Sequence, residues 1–247
     1  MEEGVPGKGA PSAVFRSRNR WPSTLCNFRS ALHHGILLRM KATILPLFLT
    51  AALATAGTDI DLPKPRTTGG KPLMEVLATR KSTRTFDADK DLPLDVLSSL
   101  LWAANGVARD ADHRTAPSAV NAREIELYVV GREATYRYDP EANRLVFHKE
   151  GDFRADTGLQ PFAAKAPVNL LLVCDMGKLA RMDAAAQAKY SCTDTGFVSE
   201  NIYLFCASEG LATVVRGAID PAAIAQKLEL PEGRKVILAQ SVGYPKE

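Results

Sequence analysis

A chain of 247 residues, 46% hydrophobic and 24% charged, has a composition ordinary for a globular protein of one or two domains. It excludes disorder, coiled coil and fibrous repeats. The formal net charge of +3 is unevenly placed: taking seven cations before Thr58 and two early glutamates from totals of 31 and 28 leaves 24 cations and 26 acids from Gly57 onward. That slightly acidic body excludes a generally basic, nucleic-acid-type surface.

Residues 1–56 read as a leader outside the fold. From Met40, a lysine, an apolar run from Ala42 to Leu53 and the small-x-small triplet Ala54-Thr55-Ala56 form the pattern of a secretory signal peptide, with cleavage expected after Ala56. The run is too short to span a bilayer, which takes about 20 residues. Residues 1–39 are then expected to be an upstream extension ahead of the true start at Met40, an Arg-rich transit segment, or a disordered tail. A periplasmic or secreted location follows if the signal is used, and a cytoplasmic one if it is not.

Residues 57–71 are rich in Pro and Gly and read as an extended linker. The domain proper is expected over 72–247. Pro72 opens a helix with apolar spacing at Leu73, Val76 and Leu77, and Pro93 opens a longer one with Leu94, Leu97, Leu100 and Leu101, closed by Gly106. Residues 125–131 form a strand. Tyr136 and Tyr138 oppose Leu145 and Phe147 in a hairpin turning at Asp139-Pro140 and Asn143. Residues 168–175 read as a buried central strand, 178–209 as helix with a break near Ser191, and Gly210 as its cap. A strand at 211–217, a helix with Asp220 as N-cap and Pro221 in its first turn, and a last strand over 234–245 complete the chain. Hairpins mixed with long helices, without regular βαβ alternation, argue an α+β fold. No G-x-G-x-x-G or Walker loop is present.

Of four cysteines, Cys26 lies in the leader; Cys174, Cys192 and Cys206 form no disulfide framework or zinc-ligand spacing. Cys174 and Cys206 sit in apolar runs and read as core residues. Trp102 is expected in the core, His148 on the surface, and His113 in a solvated loop.

The segment Arg80-Lys81-Ser82-Thr83-Arg84-Thr85-Phe86 gathers three cations and three hydroxyls. In extended backbone Arg80, Ser82 and Arg84 share one side, a donor set suited to a phosphate; a helix C-terminus, whose dipole cations complement, is the competing reading. Three further segments join it: Pro117-Ser118-Ala119-Val120-Asn121 before the first long strand, Gly210-Leu211-Ala212-Thr213 after the long helix, and Val242-Gly243-Tyr244-Pro245 near the end. In that order and spacing, across about 72–247, they resemble the nitroreductase family of flavin enzymes.

The resemblance implies a mixed or antiparallel sheet flanked by helices, a homodimer, and FMN bound non-covalently at each dimer-interface pocket. Residue by residue, it places Arg80, Ser82 and Arg84 on the FMN phosphate and ribityl chain, with Lys81 there or near the ring edge. Pro117, Ser118, Ala119 and Asn121 would line the flavin, partly from the partner subunit. Gly210 and Leu211 would offer backbone donors near N5. Lys246 is the one candidate for a further phosphate cation, since the chain departs from the family by ending two residues after Pro245. The implied reaction is ping-pong: hydride from NAD(P)H or another donor to FMN, then electrons to a small organic acceptor such as a nitroaromatic or a quinone. No catalytic side chain and no metal is assigned. The signal peptide raises an alternative, an exported flavoprotein with a non-NAD(P)H donor and a dehydrogenase or flavin-handling role.

Overall fold

The computed structural model describes residues 57–246; the leader and the expected signal peptide lie outside them. Seven strands form one sheet: β1 (Ile60–Asp61), β2 (Ile125–Val130), β3 (Ala134–Asp139), β4 (Arg144–Glu150), β5 (Val168–Asp175), β6 (Ala212–Arg216) and β7 (Arg234–Gly243). Four helices accompany them: α1 (Leu73–Thr79), α2 (Leu94–Asn105), α3 (Ala184–Glu209) and α4 (Pro221–Leu228). The strand order is β1-β4-β3-β2-β5-β7-β6, and every pairing is antiparallel. The fold is α+β, as its element order predicts.

β5 is the centre of this arrangement because its eight residues are all buried. Side chains alternate across a strand. Leu170, Leu172 and Cys174 therefore join Leu100 and Leu101 of α2 and Val198, Ile202 and Cys206 of α3. Leu171 and Val173 join Ile224 and Leu228 of α4 on the opposite face. β2 repeats the pattern: Leu127 and Val129 face α2 and α3, and Tyr128 and Val130 face α4. A sheet covered on both sides has no polar face, which is why β5 reads as a continuous apolar run.

Several expectations shift. Ile60 and Asp61, in the Pro/Gly-rich segment, form the edge strand β1 against Leu145 and Arg144 of β4. α3 begins at Ala184, not Lys178, because Asp183 caps it by accepting the Ala186 N–H at 2.8 Å. It then runs unbroken past Ser191. Trp102 is half-buried and donates its indole N–H to the Val107 carbonyl. His148 is half-buried rather than on the surface: it stacks edge-on against Tyr128 and its Nε2 lies 2.7 Å from the Leu228 carbonyl. Cys174 and Cys206 are fully buried, and burial pushes the Cys174 thiol up to about 12, which makes it inert. No described helix is long and apolar enough to cross a membrane.

Candidate functional site

The segment after α1 leaves the helix at Arg80 and runs extended along the sheet edge. Thr83 donates its N–H to the Thr213 carbonyl of β6 at 2.8 Å. The C-terminal tail passes on the other side: Asp87 donates to the Tyr244 carbonyl at 2.9 Å, and Phe86 bridges to Pro245. Gly243 permits this crossing, since a Cβ there would lie 2.4 Å from Pro167 and 3.3 Å from Phe86. Lys246 is thereby delivered beside Thr85.

These elements enclose a cleft of about 450 Å³, within the usual range for small-molecule sites. Its wall carries Lys81, Thr83, Thr85, Gly210, Leu211 and Lys246. Thus the first, third and fourth segments singled out in the sequence converge. The alternation differs from the expected one: the odd-numbered face, not Arg80, Ser82 and Arg84, forms the wall. Arg80 instead stacks over the Tyr203 ring at 5.1 Å, and Ser82 Oγ lies 2.7 Å from the Tyr203 hydroxyl. Arg84 is exposed.

The cleft and the segment beside it are rich in cations. Among the described residues, Arg80, Lys81, Arg84 and Lys246 have no carboxylate partner, while Lys71 on the same wall is paired with Glu75. Like charges left together repel, and an anion in the cleft would relieve them.

Gly210 ends α3 with φ +71°, the left-handed conformation of a helix C-terminus. Its N–H and that of Leu211 both donate to the Cys206 carbonyl. The two amides expected as ligand donors are therefore already satisfied within the helix end.

The Pro117–Asn121 segment stands apart. With Arg109 and His113 it lines a second cavity of about 450 Å³ that shares no wall residue with the first. Its polar groups are engaged locally. Ser118 Oγ accepts the Arg123 N–H at 2.9 Å, Asn121 Nδ2 donates to the Asp112 carbonyl, and the Ala119 N–H donates to Asp194 Oδ2 at 2.7 Å. Val120, Asn121 and Arg123 all have positive φ, and Val120 is β-branched and 84% exposed. His113 Nδ1 sits 2.7 Å from Asp110, whose carboxyl it holds below the ordinary value.

Tyr203 and Asp194 escaped the sequence reading. Each is one residue inside a long helix, and nothing in local spacing marks which helical side chain turns toward a loop from 75 to 121 residues away. The odd-face hydroxyls Thr83 and Thr85 were legible in principle from the same alternation that singled out Ser82.

The sequence of residues 77–244 matches the model of the nitroreductase family. A curated Methanocaldococcus jannaschii protein described as a "putative nitroreductase" is 31% identical over 182 residues, covering 66% of this chain and 91% of its own. A crystal structure of a "putative nitroreductase" from Ralstonia eutropha JMP134 superposes with a TM-score of 0.74 at 41% identity, over 79% of this chain and 93% of that one. An NADPH:FMN oxidoreductase of Vibrio harveyi, solved with NAD+, shares the fold at 20% identity and a TM-score of 0.53, over 71% of this chain and 69% of its own. By the family match over residues 77–244 and the 41% identical structure, this chain belongs to the nitroreductase family.

Proposed function

We propose that this chain is an FMN-dependent oxidoreductase that passes electrons to a small organic acceptor such as a nitroaromatic or a quinone. The observation that carries the reading is a cleft of about 450 Å³ whose wall holds Lys81 and Lys246, both without carboxylate partners among the described residues, with Arg80 and Arg84 on the same segment as Lys81. Guanidinium and ammonium groups bind phosphate oxygens strongly, and the hydroxyls of Thr83 and Thr85 add donors on the same wall. The residues present thus fit a phosphate-bearing cofactor. Bound FMN would supply the hydride and electron chemistry itself.

The protein's own part is binding and orientation. Lys81 and Lys246 would anchor the phosphate from the wall; Arg80 and Arg84 would strengthen the field from the segment's other side. Tyr203 holds that segment against α3 through Ser82. Gly210 keeps the ring end of the cleft free of side chain, since no atom lies within 4 Å of where its Cβ would be.

A homodimer fits the same reading. The Pro117–Asn121 segment lines a separate cavity within one chain, so a second copy would bring it to the cleft. NAD(P)H is the donor expected for an enzyme of this kind; the Vibrio harveyi structure holds NAD+. The signal-peptide pattern at Met40–Ala56 favours a second reading, an exported flavoprotein using another donor.

The test is expression from Met40, identification of the released cofactor and a donor screen. FMN is expected in the wild type and absent from an Arg80→Ala, Arg84→Ala double variant. Colourless wild-type protein, or full FMN occupancy in the variant, would refute the assignment. Flavin that stays oxidised with NADH and NADPH but is reduced by another donor would select the exported reading.

A further inference from the structure

Glu124 precedes β2 and is fully buried, and neither of its carboxyl oxygens has a hydrogen-bond partner among the described residues. The group it meets is the carboxylate of Asp194 on α3, itself only 2% exposed. Two ionised carboxylates in a dry core repel and accept only; a bond between them needs one proton. Asp194 has a second task, since its Oδ2 holds the Ala119 N–H at 2.7 Å. The acid pair therefore sits directly beneath the Pro117–Arg123 turn.

The frame around the pair is rigid on every side but one. Glu124 is tied to β5 through its carbonyl, which accepts the Asp175 N–H at 2.8 Å. Asp194 lies mid-helix in α3. The other titratable groups near the pair are Cys174 and Asp175 of β5 and Lys178 just beyond it. The thiol of Cys174 is raised by burial and stays neutral; Asp175 is paired with Arg234, and Lys178 donates to the Arg123 carbonyl. None supplies a counter-charge in contact with Glu124. The yielding side is the turn, where three residues already hold left-handed backbone.

We propose that Glu124 and Asp194 share one proton and together act as positioning residues for the Pro117–Arg123 turn, closing it while the pair is protonated and releasing it when the proton is lost to solvent. Burial and the neighbouring Asp194 raise the Glu124 carboxyl to about 7, so the change falls near neutrality. As a role in the active site this rests on the flavin reading; control of the turn does not.

Hydrogen exchange of the Ala119 amide, read by NMR on the purified full protein and corrected for intrinsic rates, tests it. In the wild type, protection should fall about tenfold per pH unit from pH 5 to about 7 and then level off, because the open turn releases the Glu124 proton earlier than the closed one. Ala119 should also exchange faster than Leu171 of β5 at each pH, as expected for local opening. Glu124→Gln keeps a donor for Asp194 but cannot ionise, and should abolish the slope. A wild type without the slope, a variant that retains it, or equal exchange at Ala119 and Leu171 would overturn the proposal. Should the variant not fold, isotope-edited infrared of wild-type protein carrying ¹³C-glutamate decides: one neutral glutamate at pH 6 supports the pair, and full ionisation there refutes it. The slope in protein that holds no flavin would leave the pair standing while the flavin reading falls.

Discussion

Ser82 Oγ and the Tyr203 hydroxyl lie 2.7 Å apart, joining the extended segment after α1 to the long helix α3. Tyr203 also accepts the Val215 N–H at 2.9 Å. One phenol thus fastens three elements around the cleft: the 80–87 segment, α3 and β6. Tyr203→Phe should cost about 1–2 kcal/mol by leaving the half-buried Val215 amide without its partner. Ser82→Ala should cost less, since Tyr203 keeps Val215. Chemical denaturation of both variants checks the order, and equal losses would contradict it.

The cleft wall makes a separate prediction about which cations matter most. Lys81 and Lys246 line it, whereas Arg80 stacks on Tyr203. A Lys81→Ala, Lys246→Ala double variant should therefore lose bound flavin at least as completely as the arginine double variant. Retention should also weaken as salt is raised, because exposed cations are screened. Cofactor-to-protein absorbance after gel filtration at two salt concentrations measures both effects.

Stability should depend on pH through Glu124. Its carboxyl titrates at about 7 when folded and near 4.5 when unfolded. Between those values the unfolded chain has released a proton that the native state still holds, so the unfolded state is favoured as pH rises. Each unit of difference corresponds to about 1.4 kcal/mol, giving a loss of up to about 3 kcal/mol from pH 4.5 to 7 and none from this group above it. Glu124→Gln should remove that component from a pH series of urea midpoints. An unchanged series would show that Glu124 is ionised in the native protein.

Val120 has φ 48° and is 84% exposed, so it carries strain without offsetting packing. Val120→Asn, which tolerates this backbone, should stabilise by about 0.5–1 kcal/mol, a rise of roughly 1–4 °C in Tm for a domain of this size. Calorimetry checks it. A lower Tm would mean that the valine is held there by a contact in the assembled protein.

Gly210 offers the converse case. Space is open around its missing Cβ, so Gly210→Ala meets only the backbone penalty of φ +71°, about 1–2 kcal/mol. Thermal unfolding should show that loss. A far larger one would mean that something occupies the open space in the native protein.

The sequence alone determined the α+β class, the buried centre at β5, the two capped helices α3 and α4, and the segments from which the site is built. Those features rest on local periodicity, capping residues and short motifs, which residues close in the chain specify by themselves. Only the tertiary structure decided which segments meet. Alternation along Arg80–Phe86 defined two faces, but pairing with Thr213 and Pro245 chose the odd one for the cleft. It also used the Gly210 and Leu211 amides inside the helix end, where the motif had suggested free donors. The Glu124–Asp194 pair was invisible for the same reason: seventy residues separate the two acids, and their shared proton exists only because packing of α3 against β2 brings them together away from water.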